Sequence, residues 1–194
     1  MPQPTLVSPM TAAEYLEWEK QSAVKHEYVA GEVFAMSGAS DAHVTLSLKL
    51  ASMLLGHLAG GPCRTYMADM KVKLSPIQAF YYPDVFVTCD ERDLSNDYFK
   101  EFPRLIVEVL SPSTAAFDRG LKFEHYASLP DLQEYVLMDS ERRTIDCFRR
   151  KDGGEWVLHR YRPGEEARFE SLGFAFSIDS LYENVRLPSA SPVL

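Results

Sequence analysis

Arg104-Leu105-Ile106-Val107-Glu108-Val109-Leu110 is the stretch that most limits how this chain can fold. Its apolar side chains follow one another without polar alternation, which is the pattern of a strand covered on both faces, so the run predicts a central strand with layers above and below it. One residue interrupts it. Glu108 has apolar neighbours on either side, and a carboxylate in that setting must be paired, bound to a cation or held at an exposed strand end.

The flanking segments supply the layers. Thr11 with Glu14 three residues on is a capping-box pattern and opens a helix through Leu16 and Trp18 to about Lys20. Lys25 to Met36 reads as a β-hairpin turning at Gly31, with Glu32 just past the turn. Asp41 is expected to cap a longer helix whose stripe Val44, Leu48, Ala51, Leu55 and Leu58 faces a sheet, until Gly60-Gly61 ends it. Strands are expected at Arg64 to Met67, Met70 to Leu74 and Phe80 to Thr88, with Pro76 and Asp90 to Lys100 as connectors. After the central strand, Ser111-Pro112-Ser113-Thr114 starts a helix that runs through Leu121 and Tyr126 and stops at Pro130. Glu134 to Met138, Thr144 to Arg149 and Trp156 to Tyr161 then form a β-meander, with Asp152-Gly153-Gly154 as a tight turn. This order predicts an α/β or α+β fold, a mixed central sheet flanked by helices.

At 194 residues the chain suits one domain, placed at 10–186, with short Pro/Ser-rich arms at 1–9 and 187–194. A net charge of −8 argues against phosphate binding by the whole surface, so a nucleic-acid site would have to be local. Cys63, Cys89 and Cys147 stand far apart, which predicts neither a disulfide framework nor a metal knuckle and suits a reducing compartment. The first nine residues lack the basic and apolar regions of a leader, and no apolar run is long enough to span a bilayer. The expected address is the cytoplasm.

A second acid repeats the anomaly of Glu108. Asp84 follows Pro83 inside Phe80-Tyr81-Tyr82-Pro83-Asp84-Val85-Phe86-Val87. Two carboxylates converging in a partly buried place repel each other, and a divalent cation removes that cost; oxygen ligands suit Mg²⁺ or Mn²⁺. Lys122 lies in the following helix, where Asp118, Lys122, Tyr126 and Leu129 share one face. A lysine beside metal-bound carboxylates can orient a water and stabilise developing negative charge. Each residue also has a plainer reading: Glu108 at an edge or paired with Arg104, Asp84 capping a turn, and Asp118 with Lys122 as a surface pair.

Pro83-Asp84, Val107-Glu108-Val109-Leu110-Ser111-Pro112-Ser113-Thr114, Asp118, Lys122, Tyr126 and Gln133-Glu134-Tyr135-Val136-Leu137-Met138-Asp139 together resemble the Uma-two family of restriction endonucleases, within the PD-(D/E)XK nuclease superfamily. His26-Glu27-Tyr28, Gly31-Glu32 and His43 fit the family's opening, so the resemblance covers about Met10 to Val185. It implies a restriction-endonuclease-like core that cleaves DNA, with Asp84 and Glu108, and the Val109 carbonyl, holding Mg²⁺ or Mn²⁺. It implies Lys122 as the water-positioning residue, Glu32 as an additional acid, and Tyr126, His43 and Asp118 in support. The chain departs from the superfamily pattern at Leu110, where a lysine is expected; the resemblance transfers that role to Lys122.

The five histidines show no HExxH spacing and no GxSxG elbow accompanies them, which disfavours zinc hydrolysis and a serine triad. Between Glu141 and Arg168 eight basic residues face six acids, a local surplus that suits either a DNA contact or a solvated meander. Two rivals to the nuclease stay open: a catalytically inactive binding or assembly module on the same fold, and a phosphoesterase acting on small molecules. Exposed strand edges in the meander predict a homodimer.

Overall fold

The structure is a computed structural model, and it describes residues 8–188. The N-terminal arm expected at 1–9 and the tail expected at 187–194 therefore fall largely outside the described residues.

Helix α1 (Ala12–Glu19) starts at a complete capping box: Thr11 accepts from the Glu14 amide, and Glu14 accepts from the Thr11 amide. The hairpin β1 (His26–Val29) and β2 (Glu32–Ala35) turns at Ala30 and Gly31, both at positive φ, the backbone twist that a two-residue hairpin favours. Helix α2 (Asp41–His57) is capped by Ser40 rather than Asp41. Its buried face is also not the expected one. Ala42, Leu46, Leu50, Ala51 and Leu54 pack inward, while Val44, Leu48 and Leu55 lie exposed. Both stripes recur at helical spacing, and in an apolar helix only the surroundings decide which one is covered.

The strands β3 (Arg64–Met67), β4 (Lys71–Leu74), β5 (Ala79–Tyr81), β6 (Val85–Thr88), β7 (Phe99–Lys100) and β8 (Pro103–Leu110) follow. The single strand expected from Phe80 to Thr88 is two strands in two different sheets. The chain breaks at Tyr82-Pro83-Asp84, where proline cannot donate to a ladder. Beyond β8 come α3 (Ala115–Arg119) and α4 (Leu121–Ala127), then β9 (Glu134–Asp139), β10 (Ile145–Arg150), β11 (Trp156–Tyr161), β12 (Glu166–Phe169), β13 (Phe174–Ser177) and α5 (Ile178–Tyr182). The helix expected after Thr114 is thus divided at Gly120, where a Cβ would stand 3.2 Å from the Ala116 carbonyl. The hairpin β12–β13 and the short α5 extend the expected meander.

A six-stranded sheet, ordered β11-β10-β9-β8-β6-β3, has β8 in its interior and pairs β8 with β9 in parallel. A five-stranded sheet is ordered β2-β1-β5-β4-β7. Three cores separate the layers. One lies between α2, α5, the β12–β13 hairpin and one face of the larger sheet, around Leu46, Leu50, Val107 and Val136. The second joins the other face of that sheet to α4 and the smaller sheet, around Ile106, Leu110, Tyr126 and Tyr81. The third packs α1 on the outer face of the smaller sheet through Tyr15, Tyr28 and Phe80. Both faces of β8 are covered, as its sequence requires.

The cysteines correct the expectation of no disulfide. In the β3–β6 ladder Arg64 stands opposite Thr88, which brings the adjoining Cys63 and Cys89 together in a disulfide; Cys147 is free and buried. Distance along the chain is no guide to distance across a ladder. Among the described residues no helix is long and apolar enough to cross a membrane.

Candidate active site

Alternation along β8 sends Val107 and Val109 to the α2 side and Ile106, Glu108 and Leu110 to the side of α4. Glu108 is therefore carried into the space between the two sheets, only 3 % exposed. Asp84 reaches the same space from the break between β5 and β6. Its amide donates to Glu108 Oε2 at 3.4 Å, and its Oδ2 accepts from the Val109 amide at 2.7 Å. Leu110, where the superfamily pattern expects a lysine, fills the core instead.

The lysine arrives from α4. Lys122 Nζ lies 3.0 Å from Glu108 Oε1, 3.0 Å from Glu27 Oε1 and 3.8 Å from Asp118 Oδ1, above the Tyr81 ring. Tyr126, one helical turn further on, donates its hydroxyl to Glu108 Oε1 at 3.0 Å. His43, in the first turn of α2, places Nε2 2.7 Å from Asp84 Oδ1. The structure thus brings Asp84, Glu108, Lys122, Asp118, Tyr126 and His43 into one cluster, with the Val109 amide at its edge.

Glu32 is not among them. It sits exposed at the turn end of β2, and the acid that β1 contributes is Glu27, opposite Phe34 in the same hairpin. In the sequence Glu27 stands out only as part of His26-Glu27-Tyr28, and the structure buries all three of those residues.

Charge in the cluster does not balance. Three buried carboxylates, Glu27, Glu108 and Asp118, share the Lys122 ammonium, and Asp84, partly exposed and paired with His43, adjoins Glu108. Burial pushes the Glu108 carboxyl well above its usual range; Lys122 opposes that shift, while Asp84, Asp118 and Glu27 add to it. Asp118 is raised for the same reasons, burial first. Burial works against the Lys122 charge, but Glu108, Glu27 and Asp118 overcome it and hold the ammonium protonated. Glu27 Oε1 is buried, and its charged neighbour is the Lys122 ammonium at 3.0 Å.

This donor set suits a hard divalent cation. Among the described residues no three His, Cys, Asp or Glu side chains stand ready around one point. Asp84 and Glu108 would supply its side-chain ligands, with backbone and water completing the shell as Mg²⁺ prefers.

Mixed sheets flanked by helices, with this cluster between them, define an α+β fold. A solved protein from Anabaena variabilis, described as a putative nuclease belonging to DUF820, shares the fold with a TM-score of 0.74, over 90% of this chain and 98% of that one, at 16% sequence identity. Residues 12–180 match the family model Uma2, described as "Putative restriction endonuclease", and the chain belongs to that family. Two uncharacterized proteins of Synechocystis sp. are similar along their length: slr1290, 40% identical over 91% of this chain and 93% of its own, and sll1609, 33% identical over 83% and 92%.

Proposed function

We propose that this chain hydrolyses phosphodiester bonds of DNA as a metal-dependent endonuclease, with Asp84 and Glu108 holding Mg²⁺ or Mn²⁺. The observation that carries the reading is the meeting of Asp84, Glu108 and Lys122, drawn from a strand break, a central strand and a helix, in one sheltered cluster with surplus negative charge. Such an ion, when bound, supplies Lewis-acid polarisation of a phosphoryl oxygen and eases deprotonation of water.

The residues around it have distinct tasks. His43 and the Val109 amide fix the two oxygens of Asp84, and Tyr126 fixes Glu108. Lys122 orients the attacking water and offsets charge developing on the phosphoryl group. Glu27 and Asp118 hold the Lys122 ammonium in place and keep it charged. The active form in this reading is a homodimer, supported by the edge of β11 that stays unpaired among the described residues; sedimentation returning a monomer removes that part.

Cleavage of plasmid and single-stranded DNA with Mg²⁺ or Mn²⁺ tests the reading. Wild type should cut, and Asp84→Ala and Glu108→Ala should not. Equal activity in all three, or none in any, overturns it.

One observation favours a second reading. Lys122 already contacts three carboxylates and is itself 6 % exposed, the arrangement of a closed ionic cluster in a non-catalytic binding module. Calorimetry separates the two, because the module binds no Mn²⁺ at millimolar concentration.

A further inference from the structure

On the α1 side of the smaller sheet, around Tyr82 two residues before Asp84, stands a group of lysines to which the catalytic scheme gives no task. Lys71 Nζ lies 5.0 Å and Lys25 Nζ 5.7 Å from the centre of the Tyr82 ring, so two ammonium groups lie against one aromatic ring. Tyr82 is held by its hydroxyl, which donates to the buried Glu19 at 2.9 Å. Val72 pairs with Tyr81, so Lys71 and Tyr82 are the next neighbours across the β4–β5 ladder.

The ladder also fixes where this group lies. Met67 pairs with Val85 at the end of the β3–β6 ladder, and Ala68, at positive φ, begins the turn that leads on to β4. Lys25 Nζ donates to the Ala68 carbonyl at 3.2 Å, and Lys71 opens the strand that follows the same turn. The two lysines therefore flank the turn that starts beside Val85, the residue after Asp84.

Their counter-ions are uneven. Lys20 is tied to Glu17 at 2.7 Å and Lys25 to Asp69 at 2.8 Å, although the Asp69 side chain is almost wholly exposed. Lys71 has no carboxylate within ion-pair distance among the described residues. Burial holds its ammonium below the ordinary lysine range, Glu19 counters that and Lys20 adds to it. A half-buried cation next to two others, without an acid of its own, is a place where an anion gains more than solvent offers.

We propose that Lys71, assisted by Lys25, binds a backbone phosphate of the DNA strand next to the phosphodiester presented to Asp84 and Glu108. The inference rests on the nuclease reading and names a residue pair that reading does not use. Lysine suits the task as a mobile point charge that needs no particular phosphate orientation. A phosphate there would displace Asp69 from Lys25 and serve both ammonium groups.

The test measures binding of a fluorescein-labelled 20-mer, duplex and single-stranded, by anisotropy in Ca²⁺ across a KCl series. Wild type should bind with affinity that falls as salt rises. Lys71→Ala should flatten the slope of log K against log salt by about 0.9 for duplex, or about 0.7 for a single strand, while Lys71→Arg retains it. Thermal unfolding of Lys71→Ala at the wild-type temperature shows that the change is not a folding loss. An unchanged slope in a folded Lys71→Ala, with wild type binding well, overturns the phosphate contact and leaves the nuclease reading standing. Absence of binding by wild type to either oligonucleotide overturns both.

Discussion

Lys122 Nζ stands 3.0 Å from Glu108 Oε1, although one belongs to a helix and the other to the strand before it. The position two residues past Glu108 on the same strand face holds Leu110, packed in the core. A helix laid over that face delivers an ammonium to the carboxylate from another element of the chain.

Removing that ammonium leaves Glu27, Glu108 and Asp118 facing one another without a cation. Lys122→Met, similar in volume, should cost about 3–5 kcal/mol of stability in urea unfolding, because breaking a buried ionic group strands its partners. A loss under about 1 kcal/mol would mean the carboxylates find protons or water readily enough to do without it.

The two faces of α2 give a sharp contrast. Leu50 is fully buried and Leu50→Ala should destabilise by about 2–5 kcal/mol. Leu48 is 57% exposed, and Leu48→Ala should stay within about 0.5 kcal/mol of wild type. Equal losses at both positions would mean that a partner covers the outer face.

Thiol titration tests the Cys63–Cys89 bond. Protein purified without reductant and unfolded in guanidinium should show one reactive thiol, Cys147, and three after reduction. The bond joins residues 26 apart, so reduction should lower stability by about 3 kcal/mol. A bond already formed in protein taken straight from cells would weigh against a cytoplasmic address, since reducing compartments keep such pairs open.

A pH dependence should trace to Asp146. Burial acts to raise its carboxyl, but Arg160, its cross-strand partner, and Arg119 outweigh burial and hold it below the usual aspartate range. A carboxyl lowered in the folded state adds stability above its unfolded value near pH 4, and that stability fades as pH falls through the folded value. Asp146→Asn should therefore be less stable than wild type at pH 7, with the gap closing below about pH 4. A gap constant from pH 7 to pH 3 would rule out the charge as its source.

What the sequence determined was local or periodic. The unbroken run around Glu108 dictated an interior strand, Thr11 and Glu14 dictated a helix start, Gly31 a hairpin, and Asp84 and Glu108 stood out because charge in apolar segments needs a reason. Those signals lie within a few residues of the feature they cause. What only the tertiary structure decided depends on which surfaces meet. Two apolar stripes on α2 were equally good by spacing until a sheet covered one of them. Cys63 and Cys89 became neighbours through ladder register, and Glu27 rather than Glu32 faced Lys122 because the hairpin lies on the core at one particular depth. Pattern along a chain fixes how an element repeats, but contact between elements is set by packing many of them at once.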